Sequence, residues 1–269
     1  MIKATDIDIE LGGTRIIDSL DLKIPDHKAL ALVGPNGSGK TTLLRALYGS
    51  VKPKKGEISL DGRPLKSFGR KELALELSVV TQEHQADLPL KVADLVMLGR
   101  LPHQGLTSRP SARDIAVAEK SLAAVGALHL AKRDFAGLSG GEKQRALIAR
   151  ALTQESSHIL LDEPTNHLDI RYQHDVLSLV REKTDTSVMV LHDLNLATRY
   201  CDEIVVLSHG KIVAAGTPDE IMDPAILEPV YQLPIKRIDV DGVPTLIFNR
   251  ATPKFLAGLG LEPEFAASQ

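Results

Sequence analysis

Apolar and polar positions follow two different rhythms along the chain. Ile2 to Glu10 partly alternates, Arg15 to Leu22 resumes the alternation, and Ala29 to Val33 is a short apolar run. These segments predict strands, with a turn at Gly12-Gly13. A glycine-rich turn follows Val33, and Leu43, Leu44 and Leu47 then recur at helical spacing, predicting a helix from Thr41 to Gly49. Glu57 to Leu60, Asp61-Gly62 and Arg63 to Leu65 read as a strand, a turn and a short continuation. Leu77 to Thr81 is another apolar run. Near residue 83 the rhythm changes. Val92 to Leu98, Ala112 to Val125 and Glu142 to Leu152 carry the helical period. Strand-like runs return at Ile159 to Leu161, Val188 to Leu191 and Ile204 to Leu207, each followed by a turn or a helix. Alternating strands and helices predict an α/β fold whose sheet is mostly parallel, interrupted by a helical insertion of about 70 residues. Thr217-Pro218-Asp219-Glu220 is a capping box with proline at the first helical position. Beyond Lys236 the pattern weakens: Ile238 to Phe248 reads as a hairpin around Asp241-Gly242, and the final residues read as loose.

Composition narrows the function classes. The 269 residues are 43% hydrophobic and 25% charged, which is globular rather than disordered. A formal net charge of -3 argues against nucleic acid as the main partner. The single cysteine, Cys201, excludes an internal disulfide framework and fits a reducing compartment. No apolar run reaches membrane-spanning length, and Met1 to Asp6 does not read as a signal peptide. No tryptophan is present and aromatics are 3%, a poor basis for stacking on sugars or bases.

Three constellations carry chemistry. Gly34-Pro35-Asn36-Gly37-Ser38-Gly39-Lys40-Thr41 matches G-x-x-x-x-G-K-[ST] in full, between an apolar strand and a helix. Its glycines let backbone N–H groups turn toward phosphate oxygens, and the helix start adds a positive field. Lys40 supplies a cation for the outer phosphates, the Thr41 hydroxyl is a ligand for Mg²⁺, and Thr42 follows in the first helical turn. Second, Ile159-Leu160-Leu161 ends in Asp162-Glu163. Acids at the carboxyl end of a parallel strand lie where open α/β sheets bind ligands. Asp162 is expected to anchor Mg²⁺, and strand alternation is expected to turn Glu163 the other way, toward an attacking water. Third, Leu138-Ser139-Gly140-Gly141-Glu142-Lys143-Gln144 opens a helix with a capping box and two glycines. That makes a second anion site far from the first, a puzzle that resolves if it serves a neighbouring copy of the chain.

With these residues the chain resembles the ATP-binding subunit of ABC transporters. Gln82 after the run to Thr81, Leu168-Asp169 and His192 complete the family's order, over roughly residues 1 to 230. The resemblance implies a P-loop NTPase (RecA-like) core over 1–85 and 156–235 with an N-terminal antiparallel β part. It also implies a helical subdomain at 86–155, with 236–269 as a tail. ATP and Mg²⁺ would be the cofactors. Two copies would pack head to tail as a homodimer, each ATP held between one cradle and the other copy's Ser139, Gly140 and Gly141. Gln82 would ligate Mg²⁺ and report on the γ-phosphate to the helical lobe, Asp169 would couple the two sites, and His192 would contact the γ-phosphate and steady the water that Glu163 activates. The family's first strand usually ends in an aromatic residue on adenine; alignment places Leu11 there, which leaves base selectivity open. Two permease subunits are implied as partners, with an extracytoplasmic substrate-binding protein acting indirectly and the chain lying peripherally on the cytoplasmic face of the inner membrane.

Val96 to His103 and Leu191 to Ala197 resemble the branch that imports iron–siderophore complexes, haem and cobalamin, with ferric siderophore favoured as cargo. In the helical lobe Leu88, Leu90, Val92 and Leu95 to Leu98 are candidates to line the permease groove or to fill the lobe's own core. Arg100 and His103 are read either as specific to the branch or as ordinary surface residues. A soluble ABC protein of ribosomes or DNA, or a P-loop kinase, are the competing readings. One cradle with one signature, close together, counts against both.

Overall fold

A computed structural model describes residues 1–81, 89–105 and 109–260. The chain begins with two long antiparallel strands, β1 (Ile2–Leu11) and β2 (Thr14–Ile24), then β3 (Ala29–Val33) and helix α1 (Lys40–Leu47). Next come β4 (Lys55–Leu60), β5 (Arg63–Pro64), α2 (Arg70–Glu76) and β6 (Leu77–Val80). The helical lobe holds α3 (Val92–Met97), α4 (Ala112–Ala124) and α5 (Gly140–Thr153). The core resumes with β7 (His158–Asp162), α6 (Ile170–Lys183), β8 (Thr186–Val190), α7 (Leu194–Tyr200), β9 (Glu203–Ser208) and β10 (Lys211–Gly216). Helices α8 (Pro218–Ile221) and α9 (Pro224–Tyr231), the hairpin strands β11 (Ile235–Val240) and β12 (Val243–Phe248), and α10 (Pro253–Gly258) complete it.

The central sheet has strand order β10-β9-β3-β8-β7-β6. All its pairings are parallel except β9 with β10. Strands β3, β7 and β8 are buried along their whole length, which is why they read as continuous apolar runs rather than alternating ones. The second sheet, β2-β1-β4-β5, is antiparallel. Two apolar clusters hold these layers. One joins the antiparallel sheet, α1 and one face of the central sheet, through Ile7, Ile17, Leu30, Leu44 and Val190. The other joins the opposite face to the helical lobe and the C-terminal elements, through Val33, Val96, Phe135, Ile148 and Leu246. Burying each such side chain contributes roughly 1.5–3 kcal/mol. Among the described residues, no helix is long and apolar enough to cross a membrane.

The structure sharpens three expectations. Val92, Leu95 and Val96 have no exposed surface and fill the lobe's own core, whereas Leu98 at 39% and Leu101 at 57% face outward. Leu90 is half-buried, and Leu88 lies outside the described residues. Arg100 is not an ordinary surface residue. Its guanidinium is buried and bonds Asp114 (2.9 Å), the Thr153 carbonyl (2.8 Å) and Glu155 (2.7 Å), clamping α4 to the end of α5. The hairpin expected at Ile238 begins at Ile235 and is packed: Ile235 and Leu246 join the larger apolar cluster. His158, without metal-ligand spacing in sequence, meets Asp26 and Asp61 in space, but the Met1 ammonium pairs with both carboxylates there.

Candidate nucleotide site

The site forms at the carboxyl ends of β3, β7 and β8. Gly34 leaves β3 at φ 143°, and a Cβ there would meet the Leu207 carbonyl at 2.1 Å, so only glycine lets the loop start against β9. The loop closes at Gly39, φ 103°, where a Cβ would meet the Ile17 side chain at 2.7 Å. Gly39 caps α1 without a side-chain hydrogen bond, and the first turn of α1 carries no acid. The N–H groups of that turn and the positive helix end are therefore left for a ligand. Asn36, Gly37, Gly39, Lys40, Thr41 and Thr42 line a cleft of about 270 Å³ together with Ile16 and Glu163.

Lys40 is buried, and its ammonium donates to the Gly34 and Pro35 carbonyls at 2.8 and 2.9 Å. Burial pulls its pKa below the ordinary lysine value, while Glu163 and Asp162 oppose that fall. Burial likewise pushes Asp162 above the ordinary carboxylate value, against the Thr41 hydroxyl, which donates to it at 3.1 Å. Each group is thus held in the protein at a cost that an opposite charge would relieve. The buried Ser38 hydroxyl has no hydrogen-bond partner among the described residues. An orphaned donor, a buried cation and open helix N–H groups fit a polyphosphate. The hard oxygen donors of Thr41 and Asp162, already in contact, fit Mg²⁺.

Glu163 faces the cleft for a reason other than the expected one. Strand β7 ends at Asp162, and Glu163 sits beyond it in the left-handed region, φ 53°. A left-handed turn, not strand alternation, separates the two acids. That backbone is uncommon for a residue with a Cβ, and such strain gathers at functional sites. The turn brings His192 Nε2 to 2.6 Å from one Glu163 oxygen, while Asn166 Nδ2 donates to the other. Glu163 is 10% exposed and His192 is 43% exposed. Gln82 lies outside the described residues.

The signature residues and Asp169 are elsewhere. Ser139, Gly140, Gly141 and Asp169 do not line the cleft. Ser139 caps α5: its hydroxyl accepts the Glu142 N–H, and the Glu142 carboxylate accepts the Ser139 N–H at 2.8 Å. The Ser139 N–H and hydroxyl hold the Glu142 carboxyl below its ordinary pKa. A Cβ on Gly140 or Gly141 would press on His167, in the turn that follows Glu163, and Gln144 donates to the Pro164 carbonyl at 3.2 Å. Asp169 caps α6 by accepting the Tyr172 N–H at 3.1 Å. Leu11 is 41% exposed at the end of β1 and is not among the residues lining this cleft, whose apolar wall is Ile16. Sequence reasoning missed Ile16 and Asn166. Neither carries a local signal, because both act through a tertiary approach.

The comparisons with known proteins agree with this geometry. Residues 17–166 match the ABC transporter family. The petrobactin import ATP-binding protein FpuD of Bacillus anthracis is 42% identical, covering 84% of each chain. The ferric enterobactin transport ATP-binding protein FepC of Escherichia coli K12 is 39% identical over 94% of this chain and 96% of its own. The hemin import ATP-binding protein HmuV of Streptomyces coelicolor is 41% identical over 85% and 82%. A structure assigned to a metal-chelate type ABC transporter, in an inward-facing conformation, superposes with TM-score 0.78 at 27% identity, covering 95% of this chain and 99% of that one. The dimeric structure of the bacterial ABC transporter cassette MJ0796 gives TM-score 0.73 at 27% identity, over 81% and 99%. With its phosphate cradle, paired acids and signature in place, the chain belongs to the ABC transporter family, as an ATP-binding subunit and an ATPase.

Proposed function

We propose that this ATPase drives an importer of the siderophore, haem and cobalamin class, and that its cargo is a ferric siderophore. The relatives named for petrobactin and enterobactin support that cargo, and the hemin relative keeps haem, with cobalamin, as the alternative. The subunit works as a homodimer on the cytoplasmic face of the membrane, docked on two permease subunits that receive cargo from an extracytoplasmic binding protein. The dimeric cassette among the structural neighbours supports the pairing.

The observation that carries the reading is the Glu163–His192 contact of 2.6 Å beside the cradle. ATP phosphates lie in the loop from Gly34 to Gly39, against Lys40 and the N–H groups of Thr41 and Thr42. Thr41 and Asp162 would hold Mg²⁺, with Gln82 as the further ligand, and a bound ion would supply charge neutralisation at the outer phosphates. Glu163 accepts the proton of the attacking water, and Asn166 and His192 fix its two oxygens. His192 would also steady the γ-phosphate as the bond breaks. Ser139, Gly140 and Gly141 of the second copy close the site, and Asp169 links the two sites across the dimer. A soluble ABC protein without a permease is the second reading.

Glu163→Gln tests the mechanism. Removing the base lowers kcat by about 100- to 10,000-fold while ATP still binds, and size-exclusion with ATP shows a trapped dimer. Wild-type turnover in that variant overturns the assignment. For the cargo, a strain lacking this chain should lose growth on a ferric siderophore as sole iron source and keep growth on haem. The opposite pattern reassigns the cargo, and no phenotype on either favours the reading without a permease.

A further inference from the structure

The C-terminal hairpin is bolted to the element that carries His192. Helix α7 begins two residues after His192 and has only seven residues. Asp193 caps it by accepting the Asn195 and Leu196 N–H groups at 2.7 and 3.2 Å. On its inner side Leu194 and Leu196 are buried in the core. On its outer side the Asn195 side chain works like one more rung of the β11–β12 ladder. Its Nδ2 donates to the Leu246 carbonyl at 3.1 Å, and its Oδ1 accepts the Leu246 N–H at 2.7 Å. Both polar groups of one backbone residue are satisfied by one side chain, and Leu246 itself is buried.

The hairpin is a firm base for that bond. The Ile235 N–H donates to Glu228 of α9 at 2.8 Å, and Arg237 donates to the Asp219 carbonyl of α8 at 2.8 Å. The same region touches the cradle. Burial raises the phenol pKa of Tyr231, at the end of α9, and the Gly34 N–H facing its oxygen opposes that rise. A half-exposed imidazole such as His192 has little packing of its own to fix it. Its place is set by the backbone on either side, and on the helix side that backbone is held inward by Leu194 and Leu196 and outward by Asn195.

We propose that Asn195, anchored on the hairpin through Leu246, is a positioning residue that holds His192 against Glu163. The inference rests on the role given to His192 above. It makes the hairpin part of the hydrolytic apparatus, although it touches no nucleotide.

The test is a double-mutant cycle in the full chain. Asn195→Ala should lower kcat about tenfold with KM for ATP changed less than twofold, because a displaced group costs turnover rather than binding. In a His192→Ala background, Asn195→Ala should lower kcat no further. Asn195→Asp keeps the acceptor for the Leu246 N–H and should recover part of the rate; it replaces Asn195→Ala in the cycle if that variant does not fold. Wild-type kcat in a folded Asn195→Ala chain overturns the proposal. So does a loss that multiplies with that of His192→Ala, which would mark a merely structural role. His192→Ala at the wild-type rate overturns the role of His192 and this inference together; a His192→Ala loss with unchanged Asn195→Ala overturns this inference alone.

Discussion

The starts of α1 and α5 are both glycine-bearing helix ends, yet they are finished differently. At α1 the cap is a left-handed glycine with no side-chain bond, and the first turn carries no acid. Its N–H groups are left to the cleft. At α5 the cap is complete: Ser139 and Glu142 satisfy one another, and the acid sits on the helix's positive end. The first end leaves N–H groups that a bound anion would satisfy. The second is capped from within, and its Ser139 hydroxyl and N–H can donate to a phosphate only if Glu142 releases them. In the proposed dimer one end therefore binds ATP on its own account, and the other engages only when a second copy arrives to replace an internal bond.

Four substitutions break or sharpen that contrast. Lys40→Met removes the buried cation and should weaken ATP binding by roughly 100- to 1,000-fold, read by fluorescence titration with a nucleotide analogue. An unchanged affinity would mean that α1 does not hold the phosphates. Ser139→Ala should leave ATP affinity of the isolated chain within about twofold and lower kcat roughly tenfold, separating the two ends by binding against turnover. Equal losses in both measurements would erase the distinction. Glu142→Ala removes the internal acceptor; it should destabilise the chain by about 1 kcal/mol in urea and yet ease dimer formation with ATP in the Glu163→Gln background. Asp162→Asn bears on the strain at the first end. Burial raises the Asp162 pKa, so its ionised form costs folding free energy above the ordinary carboxylate pKa and nothing once pH falls below it. The variant should therefore be more stable than wild type at neutral pH without Mg²⁺. The gain should vanish as pH drops below about 4, read by thermal unfolding.

The sequence made some of this legible and hid the rest for physical reasons. The cradle could be read residue by residue, because glycine conformation, lysine charge and helix start all act within a few positions. The parallel strands could be read because burial on both faces leaves nothing but apolar runs. Glu163 was expected to turn toward the cleft by strand alternation, but alternation holds only inside a strand, and β7 stops one residue short. Arg100 was left undecided because its partners come from 14, 53 and 55 positions away. Asn195 stood out only as part of the run Leu191 to Ala197, since its partner Leu246 belongs to a hairpin whose own pattern is weak. Ile16 carried no local signal, because it reaches the cleft only through the approach of β2 to the phosphate loop.

The signature glycines also have a domestic duty. With no Cβ at 140 or 141, the tip of α5 can rest on His167, a few residues past the acid that Glu163 contributes. An alanine placed there would jostle the chain's own turn after Glu163 as well as the proposed grip on a neighbour's nucleotide. Rates from such a variant would blend two injuries, one at home and one abroad, and Ser139 is the cleaner place to cut.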